Sequence, residues 1–465
     1  MTTQANGTPE TRTFQDRTPP APPEELVTES TVDETVAEAL ETAQPPQRKS
    51  RFASWQAMFS SLSERNYRLF ASGQIVSNIG TWMQRVAQDW LVLDLTHGSG
   101  AALGITTGLQ FLPLLLFSLW GGAIADRYPK RTILMITQAL AGGLALILGL
   151  LALTGAVQIW HVYALAFALG LVTVVDNPTR QTFAVEMVGK ADMPNAIALN
   201  SAVFNLGRIA GPAAAGLVIS AVGTPAAFLV NAASYAAVII GLKLMRPSEL
   251  SPAARTPRAR GQLREALAYV RARPKLWSLM VLVFFVATFG MNFQVTNALM
   301  SRLVYHTGAG AFGLGSTVFA AGALAGALLA ARRKRPGARL LLTTAFTFGA
   351  LEVLSALMPS FWMFLAVLFP IGVVLLTFTT AANSATQLGT TAEMRGRVMG
   401  LYLLVFLGGA PLGSPLVGWV GQAFGPRVSL IAGGAISAAA AVAVAVMLSR
   451  SLGVRVRDHL RPAAY

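Results

Sequence analysis

Residues 121–132 read Gly121-Gly-Ala-Ile-Ala-Asp126-Arg127-Tyr-Pro129-Lys130-Arg131-Thr132. They lie between two runs, 101–125 and 132–175, that contain no Asp, Glu, Lys or Arg. A membrane span needs about 20 apolar residues, so the first run crosses a bilayer once and the second is long enough to cross twice. The stretch between them is a tight turn with four charges in six residues, Asp126 to Arg131. A carboxylate beside three cations at a membrane face can pair locally or reach the end of another helix. The same charges also fit a basic cluster that orients any membrane protein.

The rest of the chain agrees with a polytopic membrane protein. Of its 465 residues, 54% are hydrophobic and 12% are charged, a composition outside the soluble range. There is no cysteine, which excludes disulfides and thiolate metal sites. No P-loop is present, so ATP is not the fuel. His97, His161, His306 and His459 are scattered near span ends or in the tail, without metal-ligand spacing. The expectation is a protein that is not an enzyme and holds no cofactor or metal. The first 50 residues lack an apolar core, so the first span is expected to direct insertion itself.

The chain divides into an acidic, largely disordered N-terminal tail (1–64), a six-helix bundle (65–246), a basic amphipathic linker (247–274), a second six-helix bundle (275–449) and a C-terminal tail (450–465). Within the first tail, Leu26, Val32, Val36 and Leu40 share one face of a marginal helix, although a solvated tail suits its composition better. Twelve spans fit the apolar pattern, near 69–93, 101–125, 132–154, 159–180, 195–222, 226–246, 276–301, 309–331, 338–358, 361–387, 396–422 and 427–449. Of the 36 lysines and arginines, 30 fall on one side of this topology, and only Arg302 and Arg427 lie in loops of the other. Both termini are therefore expected in the cytoplasm. The net charge of +15 then reports topology rather than nucleic-acid binding.

The halves echo each other. Gly80, Gln84, Gly98 and Gly100 recur 210 residues later as Gly290, Gln294, Gly308 and Gly310. Gly207, Gly211, Gly216 and Gly223 recur 202 later as Gly409, Gly413, Gly418 and Gly425, and Asn177-x-x-x-Gln181 recurs as Asn383-x-x-x-Gln387. Two runs of four at constant offset imply two six-helix bundles related by an axis along the membrane normal.

The charged turn resembles the loop between the second and third helices of major facilitator superfamily transporters, Gly-x-x-x-Asp-Arg-x-Gly-Arg-Arg. Here Gly122, Asp126, Arg127, Lys130 and Arg131 carry it, with Pro129 where the family has Gly. The basic stretch 261–274, the opening Asn66-Tyr-Arg68-Leu-Phe and Gly80-Thr-Trp82 resemble the enterobactin-exporter-like, multidrug-efflux branch. The resemblance covers roughly 63–449 and implies a substrate site between the halves. It also implies a gating latch, in which Asp126 contacts Arg180, paired with Asp176 four residues before it, and the start of a helix near Gly396. The second half has no matching Asp, so the latch is one-sided.

Span five, Gly207-Arg-Ile-Ala-Gly211-Pro212-Ala-Ala-Ala-Gly216, is similar to the helix-five motif of superfamily antiporters. Small residues also let any helix approach closely, so generic packing is the competing reading. Arg208 lies about 20 Å into that span, and Asp89 and Asp176 are its candidate partners. Arg85 and Asp89 share a face of span one, where burial and the arginine pull the carboxyl in opposite directions. Asp89 is the first candidate for proton coupling. Arg85, Arg208 and Glu352 are further candidates, with a structural role favoured for Glu352. Trp82, Phe204, Met291, Phe293, Gln294, Asn383 and Gln387 are candidates for the cavity wall. Such a wall suits a bulky amphipathic substrate, cationic if Asp89 faces inward.

The sequence thus reads as a monomeric, multi-pass protein of a bacterial cytoplasmic membrane. It is expected to export drugs or amphipathic metabolites as an antiporter, with the proton gradient as energy source and lipid and protons as its other partners. A dedicated siderophore or metabolite exporter is the alternative within that class. A non-transporting membrane scaffold is the alternative outside it.

Overall fold

The computed structural model describes residues 59–250, 262–331 and 336–452, and all secondary structure among them is helical. The expectations for residues 1–58, 251–261, 332–335 and 453–465 lie outside the described residues. The described end of the N-terminal tail corrects the disorder expected up to residue 64: Ser60–Ser63 form a helical turn, anchored where the Ser60 hydroxyl donates to Asp192 at 2.7 Å and the Ser61 N–H to Asn195 at 3.1 Å. The first half comprises α1 (Arg65–Leu95), α2 (Gly100–Arg127), α3 (Lys130–Leu153), α4 (Ile159–Gly189), α5 (Asp192–Val222) and α6 (Thr224–Lys243). The second comprises α7 (Pro274–Val304), α8 (Ala309–Ala331), α9 (Ala338–Ala356), α10 (Phe361–Leu388), α11 (Ala392–Ala423) and α12 (Pro426–Leu452). A short linker helix, Gln262–Arg271, precedes α7.

Eleven of these helices, α2 to α12, are long and apolar enough to cross a membrane. The exception is α1, 31 residues long. It buries Asn66, Gln74, Asn78, Gln84, Gln88 and Asp89, which lowers its apolar content but loads it with hydrogen-bonding groups. It packs within the first half against α4, α5 and α6. Most span ends fall within a few residues of the sequence reading. The exception is α4, which runs nine residues past 180 and meets α5 across Gly189, whose φ of 70° breaks the helix. Turn glycines follow the repeat: Gly223 (φ 87°) and Gly425 (φ 94°) end α5 and α11 at equivalent hairpins, where a side chain would strain the backbone. The Ser99 hydroxyl accepts from the Ala102 N–H and caps α2 at 3.1 Å.

The repeat also governs packing. A Cβ on Gly207 would collide with Asn78 of α1, and one on Gly409 with the Ala287–Thr288 backbone of α7. Asn78 and Thr288 are themselves 210 residues apart. The boundary between halves is built the same way twice. Gly216 of α5 faces Gly310 of α8, and Gly418 of α11 faces Gly100 of α2. Where no water separates helices, small residues bring the backbones close enough for dispersion to hold them. The helix-five glycines thus serve close packing, two against α1 and one across the halves.

Candidate functional site

A cavity of about 550 Å³ opens in the first half, with Leu407 of α11 closing one side. It runs from Gln88 and Arg85 on α1 to Arg180 and Gln181 near the end of α4 that faces the basic loops. Trp82 and Phe204 both line it, as the sequence suggests, and meet edge-to-face at 5.8 Å. Amides dominate the polar wall: Asn78, Gln110, Gln138, Asn200 and Asn205. These were missed in the sequence because they belong to no repeat and no charge pattern. Their signal was one polar residue recurring on the facing sides of otherwise apolar helices.

The charged residues of its lining are Arg85 at one end and Asp176 and Arg180 at the other. The Arg85 guanidinium sits 4.7 Å from the Trp82 ring and 6.0 Å from Phe111, held by the negative faces of the rings. Its Nε has no hydrogen-bond partner among the described residues. At the basic end, Arg180 donates to Asp176 and, at 2.5 Å, to Gln74. Thr137 and Gln138 each donate to Asp176 at 2.8 Å. Asp176 and Arg180 therefore form one network tying α1, α3 and α4, with Arg180 Nε and Gln138 Oε1 left without a partner among the described residues.

Asp89 lies six residues before the end of α1, about 9 Å from the face opposite the basic loops. It is buried, at 3% exposure, so it is not a solvated headgroup-level carboxylate. It does not line the cavity. Its carboxylate accepts a hydrogen bond from Gln294 Nε2 of α7, which joins the two halves. Two further contacts join them on the same face. Arg302 pairs with Asp94 at 2.9 Å, and the Ser99 hydroxyl donates to Gln422 at 2.6 Å.

Several expectations are corrected. Arg208 is partnered by neither Asp89 nor Asp176, and its Nε and Nη2 have no partner among the described residues. Phe293 is not in the cavity wall; it is buried and stacks on Phe319 at 5.0 Å in the core of the second half. Met291, Gln294, Asn383 and Gln387 do not line the cavity either; Gln387 bonds Asn383 on its own helix at 2.7 Å. Because Asp89 faces α7, the case for a cationic substrate that depended on it falls. Glu352 is buried at 2% exposure, with Oε2 unpartnered among the described residues. It lies away from the cavity, against Gly434 of α12 and Gly290 in the π-helical turn of α7.

In the charged turn, Asp126 and Arg127 are exposed. Lys130 pairs with Glu186 of α4, and Arg131 donates to the Leu242 and Lys243 carbonyls at 2.7 and 3.1 Å. Gly122 is buried in α2. Two of the turn's cations thus fasten α3 to α4 and α6. α11 starts at Ala392, four residues before Gly396.

The family model described as transmembrane secretion effector matches residues 56–461. The chain is 28% identical over 377 residues to the multidrug efflux pump Tap of Mycolicibacterium fortuitum, covering 78% of this chain and 90% of that one. It is 25% identical over 379 residues to the enterobactin exporter EntS of Shigella flexneri, covering 79% and 88%. With the staphyloferrin A transporter of Staphylococcus aureus it shares 31% identity over 179 residues, 38% of this chain and less than half, 45%, of that relative. A bacterial homologue of the human lysosomal transporter Spinster, in an inward-facing and unoccupied conformation, has the same fold, with a TM-score of 0.66 at 16% identity over 86% of this chain and 99% of that one.

Proposed function

The chain belongs to the transmembrane secretion effector family of the major facilitator superfamily, a family of transporters and not enzymes, and from that premise we propose that it is a proton-coupled exporter of drugs or amphipathic metabolites. The proton site is Asp89. The observation that carries this is the hydrogen bond from Gln294 to a buried Asp89 at the boundary of the halves. Opening the face opposite the basic loops separates α1 from α7 and exposes Asp89 to water. Closing it buries a carboxylate whose bonded partner is a neutral amide, at a cost that protonation removes. A proton taken up from the far side thus favours closure there and opening of the cavity on the basic side. Release of the proton into the basic-side cavity, whose wall includes the neighbouring Gln88 and Arg85, with substrate bound, favours the reverse. The proton acts as a ligand with different affinity for the two states, which is what coupling requires.

The substrate enters the cavity beside Trp82 and Phe204. Its aromatic and amide wall suits a bulky molecule with an apolar body and scattered polar groups. Arg85 favours a second reading, export of a dedicated acidic metabolite such as a siderophore. A guanidinium without a carboxylate partner is a ready hydrogen-bond donor to an anionic substrate. Efflux of a panel of dyes, antibiotics and polycarboxylates, in cells with and without the protein, separates the two. Broad efflux of neutral and cationic dyes supports the first reading and efflux confined to polycarboxylates the second. No efflux of any compound returns the chain to the scaffold alternative.

A further inference from the structure

We propose that the second half carries a binding site for one anionic phospholipid, separate from the substrate cavity and independent of the transport reading. A second cavity, of about 860 Å³, opens among the ends of α7, α9, α10 and α12 that face the basic loops, and it shares no lining residue with the first. Its walls are leucines from four helices, including Leu276, Leu279 and Leu282 of α7, Leu341 of α9, Leu388 of α10 and Leu448 of α12. Its mouth carries Arg273 and Lys275. A volume of this size falls within the ordinary range for ligand pockets, about 300–1,000 Å³.

The repeat shows that this space is a difference in sequence. At the offset of 206 that takes Asn177 to Asn383, Phe183 corresponds to Gly389. Phe183 is fully buried and meets Phe70 edge-to-face at 5.8 Å, within a cluster that also holds Tyr67 and Met187. Gly389 lines the second cavity and is exposed at its mouth. An aromatic ring that fills the basic-side end of the first half is thus missing from the second.

The chemistry of the opening identifies the occupant. Lys275 is exposed and makes no ion pair or hydrogen bond among the described residues. The Arg273 guanidinium lies 3.5 Å from the Tyr269 ring centroid and donates to the Tyr269 carbonyl at 3.3 Å, which holds its charge at the rim. Arg271 lies over Trp277 at 5.5 Å, an aromatic of the kind that sits at headgroup level. A cationic rim above an apolar slot between spans matches an anionic headgroup with its acyl chain below. The occupant is therefore a phospholipid of the adjoining leaflet with a phosphatidylglycerol-type headgroup.

The test is native mass spectrometry of the full chain in detergent. The chain is titrated with phosphatidylglycerol, with phosphatidylcholine of the same acyl chains, and with oleate. One saturable phosphatidylglycerol adduct should persist at collision energies that strip phosphatidylcholine. The double variant Arg273→Glu/Lys275→Glu should weaken it by about ten-fold or more while the chain still folds and purifies as wild type, because both side chains are exposed. Ala385 of α10 lines the slot, so Ala385→Phe places a ring in it and should abolish the adduct. Equal retention of the two phospholipids, an adduct indifferent to the charge reversal, or oleate displacing phosphatidylglycerol at equal concentration would overturn the proposal. Should Ala385→Phe fail to fold, the exposed charge variants still decide the outcome.

Discussion

Gln294 donates a hydrogen bond to Asp89 across the boundary between the halves. Its repeat counterpart does something different. Gln84, 210 residues earlier, accepts from Asn231 at 2.5 Å within its own bundle. One glutamine of the pair bonds within its own half, and the other bridges the two halves. That asymmetry is why the coupling site we propose lies at the α1–α7 contact rather than in both halves alike.

The Arg302–Asp94 pair belongs to the same closed face. Its side chains are 36% and 41% exposed, so it contributes at most about 1 kcal/mol. Arg302→Ala should shift the balance toward the state open on that face by no more than about five-fold. The chain has no cysteine, so a single Asn200→Cys in the cavity reports this through maleimide labelling from the basic side. Labelling should slow modestly; faster labelling would contradict the assignment of the closed face.

Glycines at the boundary should be intolerant. A Cβ on Gly104 would collide with the Ser414 backbone of α11, whereas Gly396 has nothing within 4 Å of its Cβ position. Gly104→Ala should cost about 1–3 kcal/mol of packing and depress transport strongly, with Gly396→Ala near wild type. Equal activity in the two variants would mean that the α2–α11 contact is not tight during the cycle.

Asp176→Asn removes the charge from a buried pair and weakens bonds from Thr137 and Gln138 as well as Arg180. Breaking such a pair costs about 3–5 kcal/mol, and the lower end applies because the Arg180 side chain is 20% exposed. Thermal unfolding in detergent should show a clear loss of stability. An unchanged midpoint would place Asp176 in the transport cycle rather than in the scaffold.

Asp126→Asn tests the charged turn. Lys130 and Arg131 are engaged with Glu186 and with α6 carbonyls, so the turn should stay folded and the protein should reach the membrane. Transport should fall, because the variant loses the carboxylate expected to latch the basic side. Normal transport at normal expression would reduce the turn to an orientation signal.

The helix layout was legible because apolar run length marks eleven of the twelve long helices, α1 being the exception. The repeat offsets went further, since Gly207 with Asn78 and Gly409 with Thr288 reproduce one contact twice. The site was legible only in part. Trp82 and Phe204 reach the cavity, but Phe293 does not; α7 passes through a π-helical turn at Val286–Gly290 and is interrupted at residues 291–292, just before Phe293, where spacing read on a uniform helix no longer holds. The orientation of Asp89 toward α7 was hidden for a related reason. Helical spacing places it on the face of Arg85 but says nothing about which helix lies opposite.

The most direct test of the account is uphill transport by Asp89→Asn in proteoliposomes, measured together with pH-dependent substrate binding. The variant nearly keeps the shape of the side chain and removes its proton. Gradient-driven efflux should fail while binding survives without its pH dependence, and downhill exchange should continue. Full uphill transport by the variant would contradict the account and move the proton to Glu352 or Asp176, and loss of binding would instead make Asp89 a counter-ion for substrate.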